Sequence, residues 1–216
     1  MLRKTRARKR ATTTRPEAAE RNSQGSRKSV AAVFLVGFMG AGKTSVGRTL
    51  GTRLNWSFED LDERIERLEG RTVAEIFREA GEAEFRRAEH NALRSVLSEL
   101  QSGAVRIVGL GGGAFVREEN AALLKGAKVA TVYLDAPVTE LWRRCCEQAS
   151  TSGAQRPLLQ NEGQFKKLHQ ERRESYAKAS HRIQTGKRSM EEIAAEIERT
   201  LGLKKMPLRE EQGEVE

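Results

Sequence analysis

Eight residues, Gly37-Phe38-Met39-Gly40-Ala41-Gly42-Lys43-Thr44, fit the pattern G-x-x-x-x-G-K-[ST] and restrict the fold more than any other stretch of the chain. The run before them, Val30 to Val36, is apolar and β-branched, as a buried parallel strand requires. After them Val46, Leu50 and Leu54 recur at helical spacing. A strand therefore feeds a tight turn that opens into a helix. Such a turn offers phosphate a concave set of backbone N–H groups, with the partial positive charge of a helix N-terminus behind it. Gly40, Ala41 and Gly42 leave the approach open, Lys43 brings a full charge for the β- and γ-phosphates, and Thr44 places a hydroxyl where Mg²⁺ would be coordinated.

The same alternation continues downstream. Trp56 to Asp60 reads as a second strand, Val105 to Val108 as a third and Lys128 to Leu134 as a fourth. Thr72 and Glu75 form a capping box ahead of a helix whose inner face carries Val73, Ile76, Phe77 and Ala80, and Gly81 ends it. A long helix from Glu82 to Leu100 turns Leu93, Val96, Leu97 and Leu100 inward. Val138, Leu141, Trp142 and Cys145 form one further helical stripe, and Met190, Ile193, Ile197 and Leu201 another. Strands alternating with helices imply a parallel sheet covered on both faces. The polar segment 147–163 is long for a connector and reads as a mobile lid.

The net charge of +9 looks at first like that of a nucleic-acid binder, but +8 of it lies in residues 1–29. That segment is expected to be a disordered basic tail, either a solvated extension, a loose polyanion-binding arm or a transit-like peptide, and it lacks the apolar region of a secretory signal. Residues 30–203 form one catalytic domain, and 204–216 are expected to be a charged, disordered tail. No apolar run approaches the roughly 18–20 residues of a membrane span. Cys145 and Cys146 are adjacent and cannot staple distant segments, as expected of reduced thiols in a soluble cytoplasmic protein.

Several other residues carry chemistry. Asp60 and Asp62 end the second strand, placing carboxylates at the sheet edge where α/β folds bind ligands. One could serve magnesium and the other an acceptor hydroxyl, although an acidic helix start would look the same. Arg86 with Glu89 one turn on could present a held guanidinium to a carboxylate, or be a plain surface ion pair. Gly111-Gly112-Gly113 after a buried strand carries an entropic cost that close approach of a ligand would explain. Arg156 and Arg172 suit neutralisation of a phosphoryl group or a carboxylate.

Taken in order, GFMGAGKTSVGRTL, DLDERIE, GRTVAEIF, GEAEFRRAE, GLGGGAFV, VYLDAP and QRPLL resemble the shikimate kinases, a branch of the P-loop small-molecule kinases, over about Val30 to Leu201. The resemblance implies a three-layer α/β/α P-loop NTPase fold like that of the nucleoside monophosphate kinases. It carries a five-stranded parallel sheet, an acceptor-binding region at 61–95 and a mobile lid. It implies ATP and shikimate as substrates and one Mg²⁺ ion. ATP would be bound by Gly40 to Ser45, Arg144 and Arg156, and shikimate by Asp62, Arg86, Gly111, Gly112, Gly113 and Arg172. Thr44 and Asp60 would serve the metal, and Lys43, Asp62 and Arg156 the transfer. Glu174-Ser175-Tyr176 stands where many members have Pro-Leu-Tyr, and Arg173 adjoins Arg172. The protein is expected to be a monomer, with nucleic acid met at most weakly through the basic tail. The alternatives are a P-loop kinase for another polyol such as gluconate, and a non-catalytic, nucleotide-gated nucleic-acid binder.

Overall fold

The structure is a computed structural model and describes residues 30–152 and 161–207. Its centre is β1 (Ala32–Val36), every residue of which is buried. A strand apolar on both faces needs neighbours on both sides and cover above and below. β2 (Ser57–Asp60), β3 (Arg106–Gly109), β4 (Ala130–Asp135) and β5 (His181–Gln184) complete an all-parallel sheet in the order β2-β3-β1-β4-β5. The register sets Leu35 and Asp60 opposite Gly109, so the ends of β1, β2 and β3 meet at one edge.

Helices α1 (Lys43–Leu54), α2 (Leu61–Glu69), α3 (Val73–Gln101), α4 (Glu118–Gly126), α5 (Val138–Ser152), α6 (Glu162–Tyr176) and α7 (Met190–Leu201) cover the sheet. A 3₁₀ turn, Ala114–Val116, precedes α4. The capping box at Thr72 is present, with Glu75 N donating to Thr72 Oγ1 at 3.2 Å and Thr72 N to Glu75 Oε2 at 2.8 Å. Gly81 (φ 78°, ψ 178°) breaks α3 into the two helices read from the sequence. α1 lies close on the sheet: a Cβ at Gly47 would fall 2.2 Å from the Phe58 ring.

Helices α2 and α3 are tied to the sheet by charge. Arg64 of α2, only 6% exposed, donates to Glu59 of β2 at 3.0 and 3.1 Å, to Ser95 of α3 at 2.8 Å and to Glu99 of α3. Arg67 and Arg106 also reach Glu59, at 2.6 and 2.5 Å.

Three expectations need correction. The segment 147–163 is shorter as a loop, because α5 runs on to Ser152 and α6 begins at Glu162. Glu147, Gln148 and Ala149 are good helix formers, and no glycine intervenes before Gly153. Lys204 to Pro207, expected to belong to the tail, are bound to the α1–β2 turn, and residues 208–216 lie outside the described residues. Met206 N donates to Leu54 O at 2.8 Å, Trp56 Nε1 to Lys204 O at 3.2 Å, and Asn55 Nδ2 to Pro207 O at 3.1 Å. Phe77 is not inward but 39% exposed, and Ala80 is exposed as well; Ile76 is buried and Val73 packs half-buried against the core. The expected basic tail, residues 1–29, lies outside the described residues.

Candidate active site

β1 delivers the chain into the glycine-rich turn, where Gly37, Gly40 and Gly42 take φ values of 148°, 77° and 90°. At Gly40 a side chain would meet both that strain and a collision, its Cβ falling 2.7 Å from Leu141 O and 2.8 Å from Cys145 Sγ. Gly42 caps α1, and the N–H groups of Lys43, Thr44 and Ser45 precede the first helical bond, from Val46 N to Gly42 O at 2.8 Å. Lys43 Nζ bridges the turn, donating to Gly37 O at 2.9 Å and Phe38 O at 3.1 Å. Ala41 is buried beneath the turn and Ser45 is exposed at the helix start.

Thr44 Oγ1 donates to Asp60 Oδ2 at 3.0 Å, bringing the first turn of α1 to the end of β2. Asp60 Oδ1 accepts the N–H of Asp62 at 3.1 Å, so Asp60 also caps α2. The helix-start reading of the acidic pair therefore holds, and the same geometry leaves Asp60 beside Thr44. Thr44 and Asp60 form an all-oxygen pair of the kind Mg²⁺ accepts beside phosphate oxygens. Among the described residues no group of three or more His, Cys, Asp or Glu could hold a metal, and magnesium bound against phosphates needs none.

Asp62 has a buried Oδ1 with no hydrogen-bond partner among the described residues. Burial pushes its carboxyl up to about 6, helped by the charges of Asp60 and Glu66 against those of Lys43 and Arg86. An orphaned acceptor in such a place is poised for a donor from outside the protein.

The triple glycine follows β3 and lies among these groups. A Cβ at Gly111 would fall 2.7 Å from Asp62 Oδ1, and one at Gly113 would fall 2.6 Å from Arg86 Nη1. Arg86 donates to Glu89 at 3.1 Å and to Glu82 at 3.1 and 3.2 Å, and it lies 5.1 Å from the Phe85 ring centre. Glu89 is fully buried, which raises its pKa against the pull of Arg86. That burial removes the surface ion pair as an account of the two residues. Arg172 Nη1 donates to Gly112 O at 3.3 Å. Arg173 instead lines a cavity of about 630 Å³ with Asp135, His169 and Arg182.

Arg144 packs elsewhere, against the turn after β5, its Nε on Glu140 at 2.8 Å and its Nη2 on the carbonyls of Thr185 and Gly186. Arg156 lies outside the described residues. Two features were missed in the sequence. Phe77 stacks on Phe85 with ring centres 4.6 Å apart beside Arg86, an apolar wall that its spacing disguised as core. The turn after β5 meets Arg144, and Met190 lies 3.8 Å from a Cβ built on Gly42. Gly186 was its one sequence signal.

The profile of the shikimate kinase family matches residues 39–202. A shikimate kinase of Geobacter metallireducens is 42% identical over 172 residues, 78% of this chain and 90% of that protein. One from Persephonella marina is 36% identical, over 76% and 95% of the two chains. The solved shikimate kinase of Acinetobacter baumannii in complex with shikimate superposes with a TM-score of 0.68 at 32% identity, covering 80% of this chain and 94% of that one.

Proposed function

Since the chain belongs to the shikimate kinase family, we propose that its site moves the γ-phosphate of ATP onto the 3-hydroxyl of shikimate, giving shikimate 3-phosphate and ADP. The protein is an ATP-dependent kinase acting on shikimate. The observation that carries the assignment of roles is one unbroken set of contacts. It runs from Thr44 through Asp60 and Asp62 to the glycine run, with Arg86 against Gly113 and Arg172 bonded to Gly112 O.

The phosphate turn cradles the ATP phosphates, with Gly40 to Ser45 contributing backbone and hydroxyl groups and Arg144 lying on the nucleotide side. Lys43 gives up its carbonyl partners for the β- and γ-phosphates. Thr44 and Asp60 would hold Mg²⁺, whose charge, when it is bound, offsets that developing on the transferring group. Arg86 and Arg172 take the shikimate carboxylate, and backbone N–H groups of the glycine run meet its ring substituents. The orphaned Oδ1 of Asp62 accepts the hydrogen of the attacking hydroxyl, fixing its oxygen in line with phosphorus. Arg156, which lies outside the described residues, would meet the ATP phosphates. The protein acts as a cytoplasmic monomer; among the described residues no helix is long and apolar enough to cross a membrane.

A coupled ADP-release assay with ATP and Mg²⁺ tests the assignment, with shikimate, quinate, gluconate or no acceptor. Turnover with shikimate alone is expected. Turnover with gluconate in its place would move the chain to another acceptor, and silence with all would leave a nucleotide-binding protein without transfer.

A further inference from the structure

The carbonyl oxygen of Gly112 receives two donors from α6, the hydroxyl of Tyr176 and Nη1 of Arg172. Tyr176 is wholly buried, and its ring lies 5.5 Å from that of Tyr133. Phenylalanine would fill that space equally well. A buried hydroxyl must be desolvated, and only an acceptor of good geometry offsets the cost. The acceptor here is the middle carbonyl of three glycines, a segment with no side chains to hold its own orientation. Burial pushes the phenol up to about 12, so it remains a donor throughout the neutral range.

The geometry of the peptide bond carries this further. In a trans peptide the C=O and the N–H that follows point in opposite directions. Holding Gly112 O toward α6 therefore turns the N–H of Gly113 away from α6. That N–H has no acceptor among the described residues. Gly113 also stands against Arg86, whose Nη1 and Nη2 lie 2.6 and 2.8 Å from where its Cβ would be. The free N–H thus belongs to the group of atoms assigned to the acceptor.

We propose that Tyr176 is a positioning residue for the acceptor: its hydroxyl pins the Gly112 carbonyl, aims the Gly113 N–H at the substrate and spares Arg172 to meet the carboxylate. It rests on the site being the shikimate pocket. Without the hydroxyl, Arg172 becomes the sole holder of that carbonyl and is drawn onto it. Both consequences weaken the acceptor, and neither reaches the phosphate turn.

The experiment compares Tyr176→Phe with the wild-type protein in steady-state assays that vary shikimate and ATP separately, together with thermal unfolding. The variant keeps the ring and its packing. KM for shikimate should rise roughly tenfold, the worth of one buried hydrogen bond, while kcat and KM for ATP stay within about twofold. An unchanged KM for shikimate, in a wild-type protein that turns shikimate over, overturns the role of Tyr176 and leaves the pocket intact. Equal loss in kcat and in both KM values, with a lowered Tm, makes Tyr176 part of the general fabric and overturns it as well. A wild-type protein silent with shikimate overturns the assignment of the pocket, and the positioning role falls with it.

Discussion

Arg86 and Asp62 show how a single side chain is held ready at a cost to the fold. Arg86 is the counter-charge of a fully buried Glu89, so removing it strands a carboxylate in the interior. Arg86→Ala should raise KM for shikimate about a hundredfold with KM for ATP nearly unchanged, and lower stability by about 3 kcal/mol, read by substrate titration and urea unfolding. Equal weakening of both substrates would remove Arg86 from the acceptor. Asp62 works in the opposite sense. Its raised pKa means that the folded state holds the proton more tightly than the unfolded chain, so stability is full below about 4 and declines as pH rises through about 6. Asp62→Asn should therefore lose turnover yet unfold a few degrees higher than wild type at pH 8, the difference vanishing near pH 4. A lower Tm at pH 8 would mean that Asp62 is a structural anchor.

At the scale of elements, α2 and α3 carry Asp62 and Arg86, proposed for the acceptor, and are tied to the sheet by the Glu59–Arg64–Glu99–Arg106 network. Arg64→Met should cost about 2 kcal/mol in urea unfolding, less than the ~3–5 of a buried charge left wholly alone, because Arg67 and Arg106 still hold Glu59. No loss of stability would show the network to be solvent-screened. Elements with strong local signals were legible in the sequence: the phosphate turn, the capping box at Thr72, the break at Gly81 and the stripe of α7. β5 was not read from the residues, since Ile183 alone of its four residues is buried and an edge strand shows no apolar run. The candidate site residues come from the resemblance, and Asp60, Asp62 and the triple glycine also from their place at or just after strand ends. What no local pattern contains is convergence: Tyr176 meets Gly112 across 64 positions of sequence, and Arg172 meets it across 60.

The whole molecule divides its charge from its chemistry, with +8 of its +9 in residues 1–29. Deleting those residues should leave kcat/KM for shikimate within about twofold and abolish salt-sensitive retention on heparin. Retention by the shortened protein would place polyanion binding on the catalytic domain. The opposite end behaves differently, because Lys204 to Pro207 fasten the turn between α1 and β2. Ending the chain at Gly202 also removes the buried Leu203, and should lower Tm by several degrees and weaken ATP more than shikimate. An unchanged Tm would make the strap dispensable.

That strap, together with α7 packed on α1, sets an order in time as well as in space. The phosphate turn leaves a translating ribosome early, and the helix behind it can settle on β2 and β3, yet its outer cover comes from segments made last. Between the two events the nascent chain carries a cradle whose outer side is still bare. A message that stops short of Pro207 thus yields a chain that opens more readily, and the cradle is fully braced only once synthesis has passed Pro207.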